Sequence, residues 1–511
     1  MNLTETRSKK QQRRLNKALQ KIIYVPTDEK LTFAGGLPAL VELFEASGLE
    51  KELLKCLPKR THARSIGSTK LAYTIMFSFL YGFECLEDIN KFRNDPALQE
   101  IFQDEAAAAR TIGDFLRDFE QEHIEALNNF LENMCRYIWK DLNEKLPPEF
   151  QQDVFVLDVD STMHVQTGEL MEGLAYNYKN EWGLDSQQGY DQWGFSHGYQ
   201  LRPGNTKSGV AAIELIDNTF RDDISQQERR SKAKHFFRAD SAYCNQEIIK
   251  KLLEKGVRFT ITAHDGVTRW KKLMKDQGIQ WTPWVHCEKD RLKAEKKGKE
   301  LPRVELGRVL WTPGWSQKEG SKLVFPILIK RTWSESLENK RRKVEREKGL
   351  FMDGFLEEEP WEYYAVLTDL PLHRDKPIDP EATQQQRYWS FQEVFEWHQK
   401  RGNAENFIRE EKYNFKLKNY PCQKLMANHA YGQIAQVAHN LLRWVAILLQ
   451  PDKPHYSKKL RNNLLLIPGN IIKHAGYTIM KVPRWAYKEV QTMKEACGFK
   501  PERVPAYYST A

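Results

Sequence analysis

The sequence predicts an α/β protein in which a helical region precedes a sheet-bearing core. Three observations carry this. Apolar residues recur at helical spacing between about residues 30 and 150, as in Leu37, Leu40, Val41 and Phe44 at i, i+3, i+4 and i+7. After Pro147-Pro148 the pattern changes to short β-branched runs, beginning with Asp-Val-Phe-Val-Leu-Asp-Val-Asp over 153–160. Helical character then returns as one long helix over 384–415.

Each element follows in order. The stretch 9–21 carries Lys and Arg among Gln and Leu, the composition of a basic helix or arm. The apolar segment 71–83 reads as a buried helix, and Asp95-Pro96 starts another, because Pro is tolerated at the first helical position. Thr111 is placed to cap the next helix, with Asp114 three residues on. Arg110 and Arg117 near that helix suit a helix-turn-helix module that contacts DNA. Beyond the strand at 153–160 come Gly-rich aromatic segments, then 209–220, which reads as a strand. A polar helix over 226–234, a strand over 235–240, a helix over 245–255 and a strand over 257–263 complete the series. Three early strands followed by strand–helix–strand is the order of an RNase H-like core.

Residues 266–375 interrupt that core. They hold seven of the 14 Trp, and strand-like runs at 304–311, 322–330 and 363–367, and read as an inserted, mainly β domain. The expected organisation is a helical DNA-binding and dimerisation region over 1–150, a first core part over 151–265 and the insertion over 266–375. A second core part over 376–450 and a basic C-terminal region over 451–511 follow.

Composition narrows the function. At 511 residues the chain exceeds one ordinary domain, and 41% hydrophobic with 29% charged residues excludes a mostly disordered protein. No apolar run approaches the roughly 18–20 residues of a membrane span, and the first residues lack the apolar stretch of a secretory signal. Seven scattered cysteines without a Cys-x-x-Cys pair argue against a disulfide framework or a zinc finger, and for a reducing, cytoplasmic compartment. The net charge of +9 permits an acidic partner such as nucleic acid.

Three constellations carry chemistry. Asp158 and Asp160 stand two apart on a strand, so both face one side, and Asp160 lies at the strand end, where open α/β sheets place their sites. Asp240 repeats that position after the strand at 235, although it also suits a plain N-cap of the helix at 245. On the long helix, His398, Arg401, Glu405 and Lys412 fall within one stripe. The ordinary alternative is an Arg–Glu pair on a solvated face, but Gly402 costs roughly 1 kcal/mol in such a helix and argues against one optimised for stability alone. Asp160, Asp240 and Glu405 together suit two hard divalent ions, Mg²⁺ with Mn²⁺ as a substitute, in in-line phosphoryl transfer. Arg401, Lys412 and His398 would then grip phosphates beside them.

With these motifs the chain resembles the group 1 DDE transposases of bacterial insertion sequences, which carry a Tyr-x2-Arg-x3-Glu-x6-Lys helix signature. Arg401, Glu405 and Lys412 match that spacing, and His398 stands where the signature has Tyr. Leu-Asp-Val-Asp-Ser-Thr over 157–162 resembles the first Asp motif and Arg-Ala-Asp-Ser-Ala-Tyr over 238–243 the second. The resemblance implies a cut-and-paste transposase that binds terminal inverted repeats, cuts them and joins the 3′-OH ends to target DNA. It implies a homodimer when two ends are synapsed, and TTAA targets by analogy with piggyBac-type transposases. A nuclease without strand transfer and a non-catalytic DNA-binding protein are the alternatives.

Overall fold

The computed structural model describes residues 14, 25–60, 66–221, 234–318, 320, 323–339, 360–373, 388–474 and 476–500. The basic stretch at 9–21 and most of the polar helix expected at 226–234 lie outside the described residues.

The helical region contains α1 (Leu37–Ala46), α2 (Leu49–Lys55), α3 (Ser68–Tyr81), α4 (Pro96–Phe102), α5 (Ala109–Arg117) and α6 (Gln121–Lys145). Asp95 caps α4 by accepting the Ala97 N–H at 2.9 Å, with Pro96 in the first helical position. Thr111 caps nothing: α5 begins two residues earlier, with Ala108 in the N-cap position.

A ten-stranded sheet forms the centre. A short strand β1 (Lys30–Thr32) lies outside it. Its members are β2 (Phe155–Val165), β3 (Ala175–Tyr176), β4 (Trp182–Asp191), β5 (Ser196–Pro203), β6 (His235–Ala239), β7 (Arg258–Thr262), β8 (Thr282–Pro283), β9 (Val304–Trp311), β10 (Phe325–Trp333) and β11 (Trp361–Thr368). The first part is ordered β5-β4-β2-β6-β7. Neighbours are antiparallel up to β2, then β2, β6 and β7 run parallel. Parallel strands are covered on both faces, and here α7 (Ala212–Thr219) and α8 (Gln246–Glu254) pack Leu215, Ile216, Ile248 and Leu252 on Leu157, Val159, Phe237 and Phe259. On the other face, Val394 and Phe395 of α9 (Phe391–Gln399) pack on Val154, Val156 and Phe236.

Three expectations are corrected here. The segment 209–220 holds α7, not a strand: its buried residues Ala212, Leu215, Ile216 and Thr219 follow helical spacing, which the apolar-rich stretch 210–216, fitting both periods, masked. The long helix expected over 384–415 is two described helices, α9 and α10 (Gly402–Tyr413), broken at Lys400-Arg401 just before Gly402. The insertion is rich in strands, but they do not form a layer of their own. β11 pairs antiparallel with β7, and β10, β9 and β8 continue the same sheet.

The chain closes with α11 (Leu425–Leu449), a hairpin of β12 (Gly469–His474) and β13 (Tyr477–Lys481), and α12 (Arg484–Ala496). β1 pairs with β12, so the start and end of the described chain share one small sheet. α1–α6, α11 and the segment 460–497 also share one hydrophobic core. α11 crosses β5 closely enough that Gly432 faces the Tyr199 ring, where any Cβ would collide. Its buried polar side chains serve β5 and the turn before it. His429 donates to Tyr199 O at 2.9 Å and His439 to Gly194 O at 2.8 Å. Asn440 accepts from Ser196 N at 2.8 Å and donates to Ser196 O at 2.9 Å. Among the described residues, no helix is long and apolar enough to cross a membrane.

Candidate active site

The site is built midway along β2, where its parallel pairing with β6 stops at Val159–Ala239, and at the end of β6; the strand expected over 153–160 runs on to Val165, so Asp160 does not stand at its end. Along β2, Leu157 and Val159 face the apolar side under α7, so Asp158 and Asp160 face the side of α9 and α10. The two acids do different work. Asp158 is buried and receives a forked pair of hydrogen bonds from Arg238, Nε to Oδ1 at 2.6 Å and Nη2 to Oδ2 at 2.7 Å. Asp160 is only partly covered and accepts the Ser161 N–H at 2.8 Å. Its carboxyl is pushed up to about 6, first by burial and then by the negative charges of Asp240 and Glu405, while the Ser161 N–H and Arg401 oppose the rise.

Asp240 follows β6 and caps a single turn, Ser241–Tyr243, accepting the Ala242 N–H at 2.9 Å. The helix behind it has its own cap, Asn245, which accepts the Ile248 N–H at 2.9 Å. Asp240 is therefore not needed to start α8. Glu405 sits in the first turn of α10, half exposed, with Arg401 Nη1 at 3.9 Å from its Oε1. Asp240 and Glu405 thus both lie within electrostatic reach of Asp160. Among the described residues, no three His, Cys, Asp or Glu lie close enough to enclose a metal ion.

The helix stripe divides. Lys412 turns toward β2 and donates from Nζ to Met163 O at 2.7 Å, two strand residues beyond Ser161. Burial lowers its pKa, and Asp185 and Asp160 are among the charges that oppose this. Arg401 stays partly exposed at the break between α9 and α10. His398 does not join them, and its assignment as a phosphate contact is corrected. It is fully buried, with Nδ1 at 2.9 Å from Thr260 Oγ1 and Nε2 at 3.0 Å from Thr262 Oγ1. Burial, with help from Arg401 and Arg238, drives its pKa down to about 3, so it is a neutral peg holding α9 to β7. Its place in the stripe assumed an unbroken helix. Away from the site, Arg110 is exposed on α5, and Arg117 forms an ion pair with Asp114 one turn back.

Sequence reasoning passed over Arg238. A signal was present: an Arg inside the apolar strand His-Phe-Phe-Arg-Ala-Asp, two residues before Asp240, as Asp158 is two before Asp160.

The sequence matches the family described as Transposase DDE domain group 1 over residues 18–275 and 383–494. The unmatched stretch between them contains β8 to β11. No curated protein matches. Among solved structures, the chain is similar to that of a pre-cleavage Mos1 transpososome. The identity is 13%, with 39% of this chain and 61% of that chain covered and a TM-score of 0.15. It is also similar to that of a Mos1 transposase paired-end complex with the left transposon end. There the identity is 11%, the coverage 47% and 74%, and the TM-score 0.14.

Proposed function

Because the chain belongs to the group 1 family of DDE transposases, we propose that it is a cut-and-paste enzyme that cleaves the ends of its element and transfers their 3′-OH groups into target DNA. The observation that supports this is that Asp240 and Glu405, from two other elements, both act on the Asp160 carboxyl, whose rise comes first from burial and then from their charges. The strand order β5-β4-β2-β6-β7 supports the RNase H-like reading of the core.

The donor set fits divalent cations. Hard ions such as Mg²⁺ prefer carboxylate oxygens, and the mutual repulsion around Asp160 is what a cation relieves. Asp160, Asp240 and Glu405 would hold two Mg²⁺ or Mn²⁺, which when bound activate the attacking oxygen and stabilise the leaving one. The protein's own part is positioning. Arg401, at the helix break, is placed to hold a phosphate of the strand being cut. Lys412 uses one of its three donors on Met163 O and keeps two. The partners are duplex DNA of the terminal inverted repeats and of the target, with two copies of the chain at synapsis. Arg110 and Arg117 of α5 are proposed as contacts to end DNA. They are best tested by charge reversal in the full chain, because α1–α6 share their core with α11.

The test uses a duplex bearing the inverted repeats that flank the reading frame. Asp240→Asn is expected to abolish cleavage in Mg²⁺ while leaving end binding nearly intact, since phosphate contacts elsewhere supply affinity. Full cleavage by Asp240→Asn sinks the assignment. Cleavage by the parent without joining of 3′-OH ends to a second duplex leaves a nuclease instead.

A further inference from the structure

We propose that Arg238 is a positioning residue that sets the separation of Asp160, Asp240 and Glu405 by tying both acid-bearing strands to the end of α9. The inference rests on the carboxylate reading above and extends it to a residue outside the reacting groups.

The geometry is specific. Asp158 and Arg238 are register partners in the parallel β2–β6 pair, each two residues before an acid of the site. Two donors of the guanidinium fork onto Asp158 at 2.6 and 2.7 Å. A third, Nη1, donates to Trp397 O at 2.7 Å, and the guanidinium carbon lies 5.0 Å from the centre of the Trp397 ring. Trp397 is in the last turn of α9. Four residues later comes Arg401 at the break, and eight residues later Glu405. The direction in which α10 leaves α9 therefore depends on how that last turn is held. His398 gives it a second anchor, on Thr260 and Thr262 of β7.

Plain stability is a weak reason for this arrangement. The backbone ladder from Phe155–His235 to Val159–Ala239 already fixes the strand register. A buried ion pair is also often no better for stability than apolar side chains of similar volume. What an apolar pair cannot do is bond a carboxylate on one strand and a helix carbonyl at once. A planar guanidinium does, and an ammonium lacks the fork. Partners that orient metal-binding carboxylates typically change metal affinity 10- to 100-fold when lost.

The test uses the full chain and Mn²⁺ alone, with free Mn²⁺ followed by electron paramagnetic resonance and thermal melts run in parallel. Arg238→Lys is expected to weaken Mn²⁺ binding by about 10-fold or more while melting within a few degrees of the parent. If Arg238→Lys melts far below the parent, Asp158→Asn, which keeps the shape of the partner, is read in the same titration with the same expectation. Parent-like Mn²⁺ affinity in the variant that folds, with affinity lost in Asp240→Asn, overturns the positioning role and leaves the carboxylate reading standing. Parent-like affinity in Asp240→Asn as well removes the carboxylate reading and this inference together.

Discussion

At the scale of single residues, Asp160 links stability and activity with opposite signs. Its folded pKa of about 6 stands above the ordinary carboxylate value. Stability is therefore greatest while the group is protonated and falls as pH rises through about 6. With metal removed by chelator at pH 7, Asp160→Asn is expected to stabilise the chain by on the order of 3 kcal/mol, at about 1.4 kcal/mol per pKa unit, while ending cleavage. Calorimetry with and without chelator checks the sign. The same group makes metal binding compete with protons, so the Mg²⁺ needed for half-maximal cleavage should climb as pH drops below about 6. An unchanged Mg²⁺ requirement between pH 7 and pH 5 would contradict it. The acids were legible in the sequence because Asp is a poor strand former, and its presence at the ends of apolar runs calls for a chemical reason. Their division of labour was not, since the partner of Asp158 lies 80 residues away.

At the scale of elements, β5 is joined to α6 by a buried imidazole. His197 places Nδ1 at 2.7 Å from Glu132 of α6 and Nε2 at 3.0 Å from Asp191 at the end of β4. Burial pushes its pKa down, but the two carboxylates outweigh burial and lift it to about 9. A raised folded pKa gives stability that is fully present below the ordinary His value of about 6.5 and is lost as pH rises through about 9. His197→Gln removes the cation shared by Glu132 and Asp191, leaving Glu132 only Arg136 among the described residues, at 2.8 Å, and is expected to cost about 3–5 kcal/mol near neutral pH. It should also flatten the fall in melting temperature between pH 6.5 and pH 9.5 that the parent shows. A parent-like slope in the variant would assign that fall to other groups. Helices and strands with a clean period, such as α1, α4 and β9, were readable from the sequence. α7 was not, because Val-Ala-Ala-Ile-Glu-Leu-Ile over 210–216 fits both periods. The break after α9 had a local signal in Gly402, but the register of β7 with β11 had none. Those strands lie about a hundred residues apart, and only the folded sheet shows that the insertion extends it.

At the scale of the whole molecule, two helices complete what a strand would otherwise complete. β5 pairs with β4 on one side, and on the other its backbone groups are occupied by side chains of two helices: Asn128 of α6 accepts the Tyr199 N–H at 3.1 Å, and α11 serves Ser196 N and O and Tyr199 O. At the far end of the sheet, β8 is only two residues long and contains Pro283, which blunts that edge. The side chains on α11 lie more than 200 residues after the backbone they serve. During synthesis, β5 therefore leaves the ribosome with only the α6 part of its cover made, long before the α11 part exists. Until α11 emerges, a nascent chain presents a strand only partly covered by α6 to its neighbours on the same polysome, a known route to misassembly. Chains halted after residue 424 are expected to accumulate as insoluble material, while the full-length chain made at the same rate stays in solution. Sedimentation of the two products from a cell-free translation reads the difference, and equal solubility would mean that β5 is sheltered by something other than α11. Translation speed between the codons for β5 and those for α11 thus becomes a determinant of yield, one set by the messenger and invisible in the amino-acid sequence.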